Sequence, residues 1–143
     1  MNENTKAIIK ATAPIIKKHG EEITTVMYKF LFLNHPEAKD LFKNAQADQY
    51  KKLANMVYAY AENIDKLEVL GKGIEKVAHL HVNTKIEPKH YPWVGESLLL
   101  AIKEVLGDGA TPEVMDAWKE AYFFLADVFI NKEKEIYTDK AAV

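Results

Sequence analysis

The strongest constraint on the fold is the spacing of apolar residues, which repeats with a helical period along nearly the whole chain. Alternation of apolar and polar residues, the pattern of a half-buried strand, is weak everywhere. The chain has only six glycines and five prolines, and most of them fall where helices would end. These patterns predict an all-α fold of about seven helices, of unequal length and crossed rather than parallel.

The boundaries of the predicted helices follow from capping and helix-breaking residues. A first helix carrying Ile8 and Ile16 should stop at Gly20, and Pro14 should kink it or shift its end. A second helix, apolar on most faces, should span Glu21–Asn34. The remaining helices are expected as a short turn reaching Phe42, at Asp48–Asn63, around Ile74–Val82, between Pro88 and Gly107, and from a Thr111 cap with Pro112 at its first position to about Tyr137.

Composition excludes several classes of function. The 143 residues predict one domain, spanning 1–143, with room for a core. The net charge of −2 and the absence of arginine argue against nucleic-acid binding. The absence of cysteine excludes disulfides, thiolate metal sites and cysteine nucleophiles. No apolar run has the length of a membrane span, and the first residues do not follow a signal-peptide pattern, so the cytoplasm is the expected location.

His81 is the first of four polar residues that lie on faces expected to be buried. It shares its face with Ile74, Val77 and Ala78, whereas nearby His79 shares a face with charged residues. A single imidazole in an apolar wall is what a haem iron requires of a protein. From this residue alone, however, a core histidine hydrogen-bonded to the backbone explains the pattern better.

The other three polar residues are Tyr28, Gln49 and Glu133. Tyr28 lies within the nearly all-apolar second helix, and Gln49 heads an apolar stripe. Both side chains could donate hydrogen bonds to a bound dioxygen, or Tyr28 could bond internally while Gln49 faces water. Glu133, near the end of the last helix, could contact Tyr91 or lie at an exposed, fraying helix end.

Taken together, four segments resemble the globin domain of bacterial flavohaemoglobins and the related single-domain bacterial haemoglobins. The segment MYKFLFLNHPEAKDLF is similar to the family's second helix and the bend after it, and DQYKKL to the start of its distal helix. The most specific segment is KVAHLHVNTKIEPKHYPWVGESLL, and DAWKEAYFFLADVFINKEKEIY is similar to the last helix. The resemblance covers the whole chain, although the stretch between Phe42 and Gln49 is a few residues shorter than in the family.

The resemblance implies a globin fold whose crossed helices surround a haem pocket. It implies His81 as the metal ligand of haem b, iron protoporphyrin IX, with Tyr91 and Glu133 on the same side of the haem. On the ligand side it implies Tyr28 and Gln49, which with the Tyr91–Glu133 pair make the expected catalytic residues. The haem should also contact Phe42, Leu53, Val57, Val94 and Tyr122.

The function implied by the resemblance is dioxygen binding combined with nitric oxide dioxygenation, which detoxifies NO. Flavohaemoglobins continue into a reductase domain, and no GxGxxG-type loop is found in these 143 residues, so we expect a separate electron-donating reductase. Two alternatives stay open: an oxygen storage or transport protein without turnover, and a cofactor-free helical interaction module. We expect neither a nucleic acid nor a membrane as partner, and a monomer or a homodimer.

Overall fold

The computed structural model describes residues 1–43, 45 and 47–142, and side chains as far as residue 139. Within these ranges the chain forms helices and no strand, so the predicted all-α class is confirmed. There are five α-helices: α1 (Glu3–Asn34), α2 (Gln49–Glu62), α3 (Gly71–Asn83), α4 (His90–Leu106) and α5 (Pro112–Ala142). Three short 3₁₀ helices connect them, at Pro36–Phe42, Leu67–Leu70 and Gly107–Gly109.

The first two predicted helices are one helix in the structure. Helix α1 runs for 32 residues and passes through both Pro14 and Gly20. The prediction that Gly20 stops a helix was therefore wrong. The physical reason is a close helix crossing, because a Cβ placed on Gly20 would lie 3.2 Å from the Cβ of Ala54 on α2. Gly20 lets two backbones approach, and the apolar stripe on both sides of it carries the helix onward.

The ends of the later helices agree better with the sequence. The hydroxyl of Thr111 accepts a hydrogen bond from the amide of Val114 at 3.3 Å, and Pro112 is the first residue of α5. Helix α4 ends at Gly107, whose φ of +53° is one that glycine adopts without strain. Helix α5 extends to Ala142, five residues beyond the predicted end at Tyr137.

The core consists of two clusters that are separated along α5. The larger one joins α1, α2, α4 and the first half of α5 around Ile16, Ile23, Ile102 and Trp118. The smaller one packs Ala78 and Val82 of α3 against the second half of α5, including Phe129 and Ile136. Buried polar groups in the larger cluster are paired; for example, the Trp118 indole donates to the Thr12 hydroxyl at 3.1 Å. This arrangement leaves α3 lying across α5 and brings the start of α4 beside it.

Candidate functional site

His81, Tyr91 and Glu133 meet between α3, α4 and α5, although they lie up to 52 residues apart in sequence. The His81 Nδ1 atom lies 2.9 Å from Glu133 Oε2 and 3.0 Å from the Tyr91 hydroxyl oxygen. The Tyr91 hydroxyl donates to the Glu133 carboxylate, with 2.8 Å to each oxygen. The three side chains therefore form a closed hydrogen-bonded cluster, which we call the proximal cluster.

Burial gives the proximal cluster its electrostatic character. The Glu133 side chain is only 5% exposed, and the His81 side chain is 31% exposed. Burial raises the pKa of Tyr91, and the hydrogen bond to the Glu133 carboxylate raises it further. Tyr91 therefore stays protonated and donates, so the carboxylate is left to accept from both partners. A carboxylate on Nδ1 favours the imidazole tautomer with its proton on Nδ1.

The other ring nitrogen of His81 is the free one. Among the described residues, both hydrogen bonds of the imidazole use Nδ1, and none engages Nε2. The centroid of the imidazole ring lies 5.4 Å from that of Phe129 and 6.2 Å from that of Tyr91. With the proton held on Nδ1, Nε2 keeps its lone pair. The arrangement presents one oriented nitrogen to a metal.

Tyr122 of α5 holds the backbone of Tyr91 in place. The Tyr122 hydroxyl donates to the main-chain carbonyl of Tyr91 at 2.6 Å, and its ring packs onto Gly95 of the next helical turn. A Cβ on Gly95 would lie 2.6 Å from Cε2 of this ring. Gly95 was not predicted to belong to the site; the only signal for it in the sequence is a glycine inside a predicted helix with no turn to explain it.

A second polar group forms where α1 faces the start of α2. The Tyr28 side chain is half-buried and hydrogen-bonds with the Gln49 side chain. Burial raises the pKa of Tyr28, and the Gln49 hydrogen bond partly opposes this rise. The Tyr28 ring packs edge-on against Phe42 at 5.2 Å. Residues 44 and 46, in the short segment between Phe42 and Gln49, lie outside the described residues.

An apolar cavity lies between α1, α2, α4 and α5. Four residues predicted from the sequence to contact a haem line it, namely Leu53, Val57, Val94 and Tyr122. The other lining residues were not predicted to belong to the site, although the sequence places several of them on buried helix faces. They are Met27, Met56, Tyr60, Leu98, Trp118 and Leu125. Met56, Tyr122 and Leu125 also pack against the smaller core cluster, so the cavity adjoins the region of the proximal cluster.

The ten predicted site residues thus occur in three groups in the structure. His81, Tyr91 and Glu133 form the proximal cluster, while Tyr28 and Gln49 pair beside Phe42. The remaining four line the apolar cavity. His79, as expected, is exposed. In the part of the chain that the structure describes, no helix is long and apolar enough to cross a membrane, and no three His, Cys, Asp or Glu residues are grouped to hold a bare metal ion.

Comparison with known proteins agrees with this geometry. The globin family's sequence model matches residues 25–129. A flavohemoprotein of Oceanobacillus iheyensis is 50% identical over 143 residues, covering 98% of this chain and 35% of the relative. A globin-like protein of Aquifex aeolicus, itself uncharacterized, is 49% identical over 138 residues, covering 96% of this chain and 98% of the relative.

The solved structures agree with the sequence relatives. An engineered carbene transferase from Rhodothermus marinus superposes with a TM-score of 0.94 at 38% identity, over 99% of both chains. This chain spans only about a third of the length of the flavohemoproteins it matches. The helices, the cavity and the matched residues lead to one assignment: the chain belongs to the globin family.

Proposed function

We propose that the apolar cavity takes up a haem, with His81 Nε2 as the protein ligand of its iron, and that the haem protein binds dioxygen and oxidises nitric oxide to nitrate. The observation that carries the proposal is the proximal cluster, in which a buried carboxylate and a phenol orient one imidazole through Nδ1. A structural histidine in a core needs no such pair of anionic and phenolic partners. Membership of the globin family supports the haem independently.

The residues present fit a haem. The cavity walls are long apolar and aromatic side chains, as a flat apolar macrocycle requires. His81, in the adjoining proximal cluster, carries the imidazole nitrogen that would hold the iron. Because the chain has no cysteine, attachment of the macrocycle by thioether bonds is impossible. Haem b, iron protoporphyrin IX, is therefore the proposed form.

When bound, the haem would supply a redox-active iron at which NO, dioxygen and one electron combine to give nitrate, and a separate electron-donating reductase would provide that electron. The chain's own residues act on both sides of this chemistry. The Nδ1–H of His81 donates to Glu133, which increases the electron density that Nε2 offers to a metal. Tyr28 and Gln49 each carry a donor that can turn to a partly negative ligand.

The reductase belongs to the proposal as a separate partner. We propose that residues 1–143 work as one globin domain and receive electrons from another protein. The Aquifex relative, which this chain covers over 98% of its length, shows that a relative of this size consists of the globin domain alone. The name of the Rhodothermus structure describes a candidate nitric oxide dioxygenase, which supports the reaction class. A location in the cytoplasm, and a monomeric or homodimeric state, stay predictions.

Titration of the purified protein with hemin tests the haem site. Wild type should develop a sharp Soret band with one haem per chain, and His81→Ala should lose stable incorporation. His79→Ala is the matched control, since it removes an exposed imidazole two residues away on the same helix. Equal haem binding by His81→Ala and wild type would refute the assignment of the ligand.

Nitric oxide turnover tests the reaction. A single conversion of the dioxygen-loaded protein by NO is common among globins, so the measurement must be steady-state NO consumption with dioxygen, NADH and a supplied flavin reductase. We expect sustained consumption with stoichiometric nitrate. Haem binding without sustained turnover would instead assign the chain to oxygen storage or delivery.

A further inference from the structure

Helix α3 ends in a hydrogen-bonded turn that begins at His81 itself. The amide of Ile86 donates to the carbonyl of His81 at 2.9 Å, and the amide of Lys85 donates to that of Val82 at 3.0 Å. These two bonds form a Schellman motif, in which the residue just past the helix adopts the left-handed conformation. Lys85 has that conformation, with a φ of +66°. The backbone of His81 is therefore capped directly by Ile86.

Tyr137 holds this turn from α5. Its hydroxyl donates to the carbonyl of Ile86 at 2.8 Å. Tyr137 lies one helical turn beyond Glu133 on α5, so this helix acts on His81 in two ways. Glu133 binds the imidazole ring, and Tyr137 binds the carbonyl of Ile86, the residue whose amide caps the His81 carbonyl. Burial and the carboxylates of Glu133 and Glu87 raise the pKa of Tyr137, which keeps its hydroxyl protonated and able to donate.

The backbone conformation of Lys85 makes the turn easy to open without a further contact. A lysine in the left-handed region is strained relative to glycine, so the turn is easier to open than one with glycine at this position. Opening would release Ile86 from the smaller core cluster and uncap the His81 carbonyl. The imidazole would then lose the fixed backbone from which it reaches Glu133.

We propose that Tyr137 is a positioning residue for His81: by binding the Ile86 carbonyl, it locks the turn that fixes the ligand's backbone against Glu133. The proposal rests on the proposed function in that His81 is taken as the iron ligand. It predicts that the Tyr137 hydroxyl, whose hydrogen bond goes to Ile86, sets the strength of the iron–histidine bond through the turn.

The test compares Tyr137→Phe with wild type and with Tyr58→Phe. The control removes a phenolic hydroxyl from α2, where its partner is Glu62, far from the turn in sequence. Three measurements are made on each protein: hemin titration, amide hydrogen exchange of Ile86 in the haem-free protein, and the iron–histidine stretching band of the ferrous protein by resonance Raman. Circular dichroism verifies that each variant is folded.

For Tyr137→Phe we expect wild-type haem stoichiometry, about two- to tenfold faster exchange of the Ile86 amide, and an iron–histidine band shifted to lower frequency. The lower frequency follows because a weaker Nδ1–H to carboxylate contact makes the imidazole a poorer electron donor. Tyr58→Phe should match wild type in all three measurements.

The failures are distinguishable. If wild type takes up no haem, the proposed function falls, whatever Tyr137 does. If haem binds but the Ile86 amide exchanges at the wild-type rate, Tyr137 does not hold the turn and the inference is overturned. Faster exchange with an unmoved iron–histidine band also overturns it, because Tyr137 would then serve stability alone.

Discussion

Substitution of Gly95 by alanine should damage the protein at one contact that the structure defines closely. The new Cβ would lie 2.6 Å from Cε2 and 2.9 Å from Cδ2 of the Tyr122 ring, whereas ordinary contacts of this kind begin at 3.4 Å. The ring would have to move by about 0.8 Å. It is not free to do so, because its hydroxyl is bound to the Tyr91 carbonyl at 2.6 Å.

Two opposing effects determine the magnitude. Overpacking of this kind costs about 1–3 kcal/mol, while replacing a glycine inside a helix by alanine gains up to about 1 kcal/mol. Gly95→Ala should therefore be less stable than wild type by up to about 2 kcal/mol. Gly73→Ala on α3 is the matched control, because nothing lies within 4 Å of its new Cβ and only the gain applies.

Urea unfolding of the two variants measures the difference. With a slope of about 1–3 kcal/mol per molar urea, their midpoints should be separated by about 1 M. Gly95→Ala should also bind hemin more weakly, because the Tyr122 ring lines the apolar cavity and its displacement would disturb the packing of the cavity wall. If Gly95→Ala is stabilised as much as Gly73→Ala, the steric reasoning about Tyr122 is refuted.

Three further predictions concern single groups. Tyr28→Phe should release dioxygen about tenfold faster or more, as expected for a lost hydrogen bond to a charged ligand; an unchanged off-rate in stopped flow would mean that the hydroxyl does not contact it. Lys85→Gly should raise the free energy of unfolding by about 0.5–1 kcal/mol, since the residue is exposed and only its left-handed strain is relieved; an unchanged urea midpoint would contradict this. His90 is buried, which lowers its pKa from the ordinary 6.5, and its Nδ1 accepts a hydrogen bond from the Glu87 amide at 2.9 Å. The unfolded chain therefore binds a proton more readily than the folded one. The free energy of unfolding should fall as the pH drops below about 6.5, by at most about 1.4 kcal/mol per pH unit. His90→Asn keeps an acceptor without titrating, so urea midpoints at pH 5.5 and 7.5 should lie closer together than in wild type, and an equal gap would exclude His90.

The proximal cluster shows how far local sequence patterns reach. Each of its members had a plainer interpretation when taken alone, and only the resemblance of whole segments to a family linked His81 with Tyr91 and Glu133. Glu133 is the clearest case, because its lysine neighbours at 132 and 134 made an exposed, fraying helix end plausible. The helix instead continues to Ala142, and the Glu133 side chain lies against α3 with 5% exposure. Whether a carboxylate is buried depends on the helix that packs across it, and the spacing of nearby residues in the sequence does not show which helix that is.

Two glycines also show that a local sequence pattern does not reveal the tertiary neighbour of a residue. The sequence pattern treats Gly20 and Gly107 alike, as residues that end a helix. Gly107 does end one, because its φ of +53° turns the chain away after α4. Gly20 lies inside a helix, and the reason for it is Ala54, 34 residues later, whose Cβ would lie only 3.2 Å from a Cβ at position 20. Glycine suits Gly107 because of its backbone angle and Gly20 because of this neighbour. The packing neighbour decides whether such a glycine ends a helix or allows two helices to cross. The local sequence gives one sign of a crossing, namely long apolar stripes on both sides of the glycine.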